Sequence, residues 1–349
     1  MTVDEPPNEN NEQTLDNLLK NDKALHKKEL KVETKASVLP QPARYLFTLA
    51  LAAGFLGMGS SLSILGLTFP TLAANLHKTI NDLPMLVVVR GGGYLAGSLF
   101  IGLLESKCNL MVLSVSPLFA IAVGMLMTPL ILDVVALHVS TAIAAIGLGA
   151  YETVGNVLCL YLWGKKAEPV LQFLHFCYCF GSAMTPFLAR PFLNEVFHNT
   201  SGMNGSLSMD TESASIPNVS FIEGSTVPLV SVPYLVIASF VALVVIFMLA
   251  VTFLTSIDLN ESQQENTIEQ EGTHFRCGML FLMFLFYFLY VGVEVSFSLF
   301  IYKFGISEPP GPAYSRDVST HLSAMFHFTI VASQFFAIFW SQKFSPGSQ

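Results

Sequence analysis

The sequence predicts an all-α protein that crosses a membrane several times, and three observations support this fold class. Hydrophobic residues make up 52% of the 349 residues. Charged residues make up only 12%, whereas soluble globular chains carry about 25%. The apolar residues are also gathered into runs of about 20 residues or more, which is the length that an α-helix needs to cross the hydrocarbon core of a bilayer.

Eight such runs follow one another along the chain. They lie at about 46–69, 84–104, 110–131, 134–162, 170–193, 232–255, 279–302 and 321–341. Only a short turn near Asp133 separates the third run from the fourth. We therefore predict a polytopic membrane protein with about eight transmembrane helices.

A polar segment, residues 1–43, precedes the first run and is rich in Asn, Glu and Lys. This composition predicts a disordered tail, because it offers too little apolar surface to bury. The tail is too long and too polar to be a signal peptide, so the first run is itself predicted to anchor the chain in the membrane.

Basic residues beside the runs predict the orientation of the chain, because short cytoplasmic loops carry an excess of Lys and Arg. With a cytoplasmic N-terminus, the following basic residues fall on the cytoplasmic side: Lys27, Lys28, Lys31, Lys35, Arg44, Lys107, Lys165, Lys166 and Lys343. The loop 194–231 then lies on the opposite side and carries glycosylation sequons at Asn199, Asn204 and Asn218. Two independent signals thus predict a cytoplasmic N-terminus and a glycosylated external or lumenal loop.

The fourth run contains the main candidate for a binding site. A charged side chain near the bilayer centre costs at least about 2.5 kcal/mol on insertion scales, so its presence indicates a function or a partner. Glu152 and Asn156 are four residues apart and share one helical face. They offer a carboxylate and an amide to sugar hydroxyls or to a cation. The alternative is a neutral carboxyl group that hydrogen-bonds between helices.

Polar residues in three other runs are further candidates. Gln172 and His175 share a face of the fifth run and either line a hydrated path or hydrogen-bond between helices. Glu294 lies well inside the seventh run. Arg90 lies in the outer third of the second run, where we expect its side chain to reach the membrane surface. In the same run, the small-residue spacing within 93–97 predicts close helix packing.

Several function classes find no support in the sequence. The apolar bulk has no basic stripe that would indicate nucleic-acid binding, and the five cysteines lie in or beside apolar runs, which disfavours a disulfide framework. We find no pair of metal ligands at useful spacing, no nucleophile elbow and no phosphate-binding loop. The protein is therefore predicted to be no enzyme and to need no cofactor. A membrane-embedded enzyme using His175 or Glu152 would lack the partner groups that catalysis requires.

Several motifs resemble a known family. Glu152-Thr153-x-x-Asn156 resembles fucose permease-like members of the major facilitator superfamily. The continuation to Gly164 looks like the sodium-dependent glucose transporter 1 group, also called major facilitator superfamily domain-containing protein 4. Similar stretches occur in the second, fifth and seventh helices of that group: Gly93-Tyr94-Leu95-x-Gly97-Ser98, Leu171-Gln172-Phe-Leu-His175 with Gly181 and Pro186, and Tyr290-Val-Gly-Val-Glu294-Val. The resemblance covers most of residues 67–304.

This resemblance implies a function and a set of roles. It implies two six-helix bundles around a central cavity, a hexose as substrate, coupling to sodium or protons, and a place in the plasma membrane. One bundle rocks against the other in such folds. Glu152 would be the coupling or sugar-binding carboxylate, with Asn156, Gln172 and His175 as polar groups of the cavity. Glu294 would come from the second bundle.

The resemblance also implies a domain organisation. Residues 44–255 would form the first bundle, 256–276 an acidic cytoplasmic linker, and 277–349 two helices of the second bundle. The segment 44–76 contains no acidic residue, which disfavours proton coupling through a pair of carboxylates. The family has twelve helices, so a chain with eight is predicted to be truncated at its C-terminus. The alternative function is that of a truncated, non-transporting membrane protein that acts as a regulator or scaffold.

Overall fold

The computed structural model describes residues 40–76, 84–105, 107–194, 228–255, 273–307, 311–312 and 314–344. Nearly all of the predicted tail 1–43, the loop 194–231 and the linker 256–276 lies outside these residues. The sequon asparagines Asn199, Asn204 and Asn218 also lie outside them, so their glycosylation stays a prediction.

The eight predicted helices are all present; seven closely match or extend beyond their apolar runs, and the third is shorter because its run is divided near Ser114. They are α1 (Gln41–Asn75), α2 (Pro84–Leu104), α3 (Val115–Met127), α4 (Val134–Trp163), α5 (Ala167–Asn194), α6 (Ser231–Thr255), α7 (Thr273–Ile306) and α8 (Arg316–Phe344). The fold class predicted from hydropathy is therefore confirmed.

In the described part of the chain, seven helical segments are long enough and apolar enough to cross a membrane. The fifth predicted span, α5, is not among them, because residues such as Gln172, His175 and Arg190 lower its apolar content. This helix packs between α1 and α8, where neighbouring helices can satisfy its polar groups. The chain is thus an integral, multi-pass membrane protein.

The third span is interrupted near its start. A single helical turn, Leu110–Leu113, precedes α3 and ends at Ser114. The Ser114 hydroxyl donates to the Met111 carbonyl at 2.7 Å. Pro117 lacks the N–H that would bond the Leu113 carbonyl, and the Ser116 hydroxyl donates to that carbonyl at 3.3 Å instead. The break therefore follows from proline and from serine side chains that replace backbone hydrogen bonds.

The two ends of α4 have clear local causes. Its N-cap is Asp133, whose carboxylate accepts from the Ala136 N–H at 2.9 Å, as expected for a helix start. Its last residue precedes Gly164, which has φ of 51°. Only glycine adopts this left-handed conformation without a steric penalty. The turn predicted near Asp133 is confirmed.

The helices α1 and α5 cross at very short range through two glycines. A Cβ atom at Gly59 would overlap the Tyr178 carbonyl, and a Cβ atom at Gly181 would overlap the Leu56 carbonyl. The Ser60 hydroxyl donates across the same crossing to the Gly181 carbonyl at 3.1 Å. Small residues at such a crossing allow the two backbones to touch, which strengthens packing inside a membrane.

A second crossing of the same kind joins α2 and α4. A Cβ atom at Gly97 would overlap the Ile146 carbonyl, and one at Gly149 would overlap the Tyr94 carbonyl. The Ser98 hydroxyl donates to the Gly149 carbonyl at 3.0 Å. The close packing predicted from the glycine spacing in α2 is confirmed.

A bidentate ion pair joins α5 to α8. Arg190 Nε and Nη2 donate to the two carboxylate oxygens of Asp317 at 2.9 and 2.8 Å. Beside it, Arg316 Nη1 donates to the Leu193 carbonyl at 3.3 Å. Aromatic contacts continue the interface, with Phe187 and Phe328 ring centroids 6.0 Å apart. The helix α8 is thereby attached to the first six helices mainly through α5.

We expect Gly181→Ala to destabilise the protein, because its methyl group would collide with the α1 backbone. Overpacking of this kind costs about 1–3 kcal/mol, so the melting temperature of the purified protein should fall by several degrees. Gly92→Ala is the matched control, since a Cβ atom there meets nothing within 4 Å. Equal melting temperatures for the two variants would contradict the close crossing.

Neutralising either member of the Arg190–Asp317 pair should loosen α8. We expect Arg190→Gln and Asp317→Asn each to lower the melting temperature, and the exchange Arg190→Asp with Asp317→Arg to restore part of the loss. A double-mutant cycle isolates the pair from each residue's other contacts. The cycle compares both single variants with the double variant Arg190→Gln and Asp317→Asn. If the losses of stability in the single variants add up strictly to the loss in the double variant, the pair contributes nothing.

Candidate functional site

A cavity lies where α1, α5, α7 and α8 meet. It is partly open to its surroundings, so its empty space of about 330 Å³ includes open space outside the cavity, and the enclosed part is narrow. Its lining combines an apolar wall with a few polar groups; the residues are Leu62, Tyr178, Cys179, Ser182, Glu294, Val295, Ser298, Phe326, His327 and Ile330. An apolar pocket with a few convergent polar groups is the usual form of a small-molecule site.

Two polar residues of this cavity bond to each other across α7 and α8. Ser298 Oγ and His327 Nε2 are 2.8 Å apart, and His327 Nδ1 lies 2.7 Å from the Ser323 carbonyl. Because a carbonyl can only accept, Nδ1 carries the proton and the neutral ring accepts at Nε2. The Ser298 hydroxyl therefore donates to His327, and its oxygen lone pairs remain able to accept from a ligand hydroxyl.

A carboxylate stands one turn before Ser298 on the same helix. Glu294 lines the cavity and interacts with the Tyr290 hydroxyl one turn earlier. It also interacts electrostatically with Glu152 of α4. Two carboxyl groups that interact electrostatically away from bulk water repel each other when both are charged. A bound cation would relieve this repulsion.

Asn156 supplies an acceptor that lacks a partner. Its side-chain oxygen is buried and has no hydrogen-bond partner among the described residues. It lies one turn after Glu152 on α4, as the sequence spacing predicted. A buried acceptor without a donor is costly, so this oxygen is ready to bind a cation or a donor group of a ligand.

Gln172 and His175 occupy a different position from the cavity. Both lie on α5, and neither belongs to the residues that line the cavity. The His175 ring packs edge-on against Phe55 of α1, with centroids 5.8 Å apart. Of the predicted site residues, only Glu294 lines the cavity. Glu152 interacts with Glu294 electrostatically, but Glu152, Asn156, Gln172 and His175 all lie outside the lining.

Three polar residues of the cavity were not predicted as site residues. They are Ser182, Ser298 and His327. A signal for one of them exists in the sequence, because Ser298 follows Glu294 by four residues. That spacing places Ser298 on the helical face of a polar residue already noted. His327 has no comparable neighbour on α8 that would indicate its role.

The position of the Arg90 side chain differs from the prediction. Instead of reaching the membrane surface, its side chain is buried, with 6% of its surface exposed. Its Nη2 donates to the Leu62 carbonyl of α1 at 2.6 Å. The side chain turns inward because a hydrogen-bond acceptor and other polar groups are available between the helices. Within the described ranges, no three His, Cys, Asp or Glu side chains come together to hold a metal ion.

The fold and the cavity together define a class: a polytopic helical membrane protein with carboxylate, hydroxyl and imidazole groups around an interior site. The chain is 30% identical over 311 residues to sodium-dependent glucose transporter 1 of Homo sapiens. The aligned region covers 85% of this chain and 57% of the human protein. It is 32% identical over 310 residues to the protein of the same name from Danio rerio, and this region covers 87% of the chain and 51% of the zebrafish protein.

A weaker similarity connects the chain to major facilitator superfamily domain-containing protein 4A of Xenopus tropicalis, with 27% identity over 167 residues, 47% of this chain and 33% of that protein. No family model matches. The chain spans about half the length of the curated relatives that it matches over most of its own length. These similarities agree with the family resemblance that its motifs predicted.

Proposed function

We propose that this chain moves a hexose such as glucose across the membrane by secondary active transport, with sodium as the coupling ion. The observation that carries this proposal is the cavity in which Glu294, Ser298 and His327 converge among apolar helices. A sugar offers hydroxyl groups that both donate and accept, so a carboxylate, a serine oxygen and a second serine, Ser182, suit its recognition.

Sodium coupling is supported by the arrangement of oxygen atoms near the cavity. Hard cations prefer oxygen ligands, and Glu152 with Asn156 presents a carboxylate and an unpartnered amide oxygen on one face of α4. A cation bound there would also offset the repulsion between Glu152 and Glu294. The names of the human and zebrafish relatives describe the same pairing of sodium with glucose.

The position of the cavity between two groups of helices supports alternating access. The cavity is formed by α1 and α5 on one side and by α7 and α8 on the other, the helices that belong to different bundles in the predicted organisation. Relative motion of the two groups would expose the cavity to one side of the membrane and then to the other. The Arg190–Asp317 pair between α5 and α8 would break and re-form in that cycle.

The proposed setting is the plasma membrane with a cytoplasmic N-terminus. The lysines and arginines that flank α1, α2 and α4 support this orientation. The three sequons in the loop 194–231 support exposure of that loop on the opposite side.

Uptake of labelled glucose tests the proposal directly. Cells that express the chain should take up glucose in sodium buffer, and at least tenfold less when choline replaces sodium. Glu152→Gln should abolish the sodium-dependent part, because it removes a charge that the cation requires. Glu168→Gln, at an exposed position on α5, is the control and should leave uptake unchanged.

Surface biotinylation measures how much of each variant reaches the cell surface. No uptake by the unmodified chain at normal surface abundance would overturn the transport proposal and favour a regulator or scaffold. Uptake that is indifferent to sodium but lost in Glu152→Gln would keep sugar transport and reject sodium as the coupling ion.

Ser298→Ala should raise the KM for glucose by about tenfold, the size of one lost hydrogen bond of about 1.4 kcal/mol. The reason is that the Ser298 oxygen contacts the cavity and is oriented by His327. Ser296→Ala, two residues earlier on the exposed side of α7, should leave the KM unchanged. Concentration-dependent uptake measures both values, and an unchanged KM in Ser298→Ala would exclude this serine from sugar binding.

A further inference from the structure

A second cavity lies inside the first six helices, separate from the candidate site. It is bounded by α1, α3, α4 and α6 together with Arg90 of α2. Its polar lining consists of the Arg90 guanidinium and the hydroxyl groups of Ser61, Thr128, Thr141 and Tyr234. The rest of the wall is apolar.

The charge of Arg90 meets no carboxylate among the residues that line this cavity. Arginine keeps its proton in proteins, and a buried charge is costly unless it is paired and hydrogen-bonded. Its Nη2 donates to the Leu62 carbonyl at 2.6 Å, which is a dipole and carries no negative charge. Among the residues that line the cavity there is no carboxylate. In the described part of the chain, the guanidinium therefore lacks the charged partner that usually accompanies a buried arginine.

Two donors in the cavity are unused. Arg90 Nη1 and Thr141 Oγ1 are both buried and have no hydrogen-bond partner among the described residues. The exposed fractions of the two side chains are 6% and 5%. An unpartnered buried donor costs about 1–3 kcal/mol. A ligand that accepts from both groups would remove this cost.

The other hydroxyl groups are already engaged in ways that leave no donor to spare. Ser61 and Thr128 donate to carbonyls of their own helices, Gly57 and Gly124, at 2.8 and 2.7 Å. Tyr234 lies 2.7 Å from Thr68 Oγ1, whose own proton goes to the Ile64 carbonyl. The vacant role in this cavity is thus that of an acceptor placed between the Arg90 guanidinium and the Thr141 hydroxyl.

We infer that this cavity binds a small inorganic anion of the halide class, chloride in physiological fluids. The anion accepts from Arg90 Nη1 and Thr141 Oγ1 and supplies the missing counter-charge. Water would satisfy the two donors but would leave the charge of Arg90 uncompensated. The small size of the cavity and its apolar wall, which includes Leu65 and Leu148, disfavour larger organic anions.

Anion-dependent thermal stability of the purified full chain tests this inference. The melting temperature is measured in sodium chloride, sodium bromide and sodium gluconate at equal sodium concentration and ionic strength, so that any effect of sodium cancels. Halide should raise it saturably, by about 2 °C or more at ten times the dissociation constant. Equal melting temperatures in all three salts would overturn the inference and indicate water alone.

Three variants separate the site from general salt effects. Arg90→Gln should lose the halide response, and Thr141→Val, which keeps the side-chain shape, should weaken the apparent halide affinity several-fold. Arg190→Gln removes an equal charge at a half-exposed position and should keep the full response. A response in Arg90→Gln or Thr141→Val equal to that of the unmodified chain would contradict binding at this cavity.

Bromide also allows direct detection. Crystals of the full chain grown with sodium bromide should show an anomalous peak beside the Arg90 guanidinium, and an empty or water-filled position there would overturn the inference. This measurement stays decisive if Arg90→Gln fails to fold. It is independent of glucose uptake, so failure of the anion site and failure of the transport proposal are distinguishable.

Discussion

The close crossing of α1 and α5 is the constraint on which the rest of the structure depends. Gly59 and Gly181 let the two backbones touch, and this contact holds α5 in place although α5 is not among the segments apolar enough to cross a membrane by composition alone. The same helix carries Tyr178 and Ser182 of the cavity and anchors α8 through Arg190. One crossing of two glycines therefore positions part of the site and the attachment of the later helices.

The site follows from this arrangement because it uses groups from both sides of the interface. The earlier helices bring Tyr178 and Ser182, and the later helices bring Glu294, Ser298 and His327. Ser298 and His327 orient each other before any ligand arrives, through the hydrogen bond between them. Such preorganisation reduces the entropy that binding would otherwise cost.

Much of the fold could be predicted from the sequence, whereas the site could be predicted only in part. Run length predicts the eight helices because each must span the same hydrocarbon thickness. Glu294 could be predicted as a cavity residue because a buried carboxylate among apolar residues is costly. The bond between Ser298 and His327 could not be predicted, because it depends on how α7 and α8 are rotated relative to each other, and local sequence patterns do not indicate this rotation. Arg90 was expected at the surface because its inward acceptor, the Leu62 carbonyl, belongs to another helix.

The first half of α7 differs from every other long helix in the described chain. None of the residues in its most apolar stretch is buried against the protein, and neighbours such as Phe281, Phe284 and Phe288 are widely exposed. Such an apolar surface needs cover from lipid or from other helices, and lipid constrains only its polarity. Where lipid is the cover, this half of the helix tolerates exchange among Leu, Phe, Ile and Val, whereas its other end, where Leu299 meets Gly66, must also fit a neighbouring backbone.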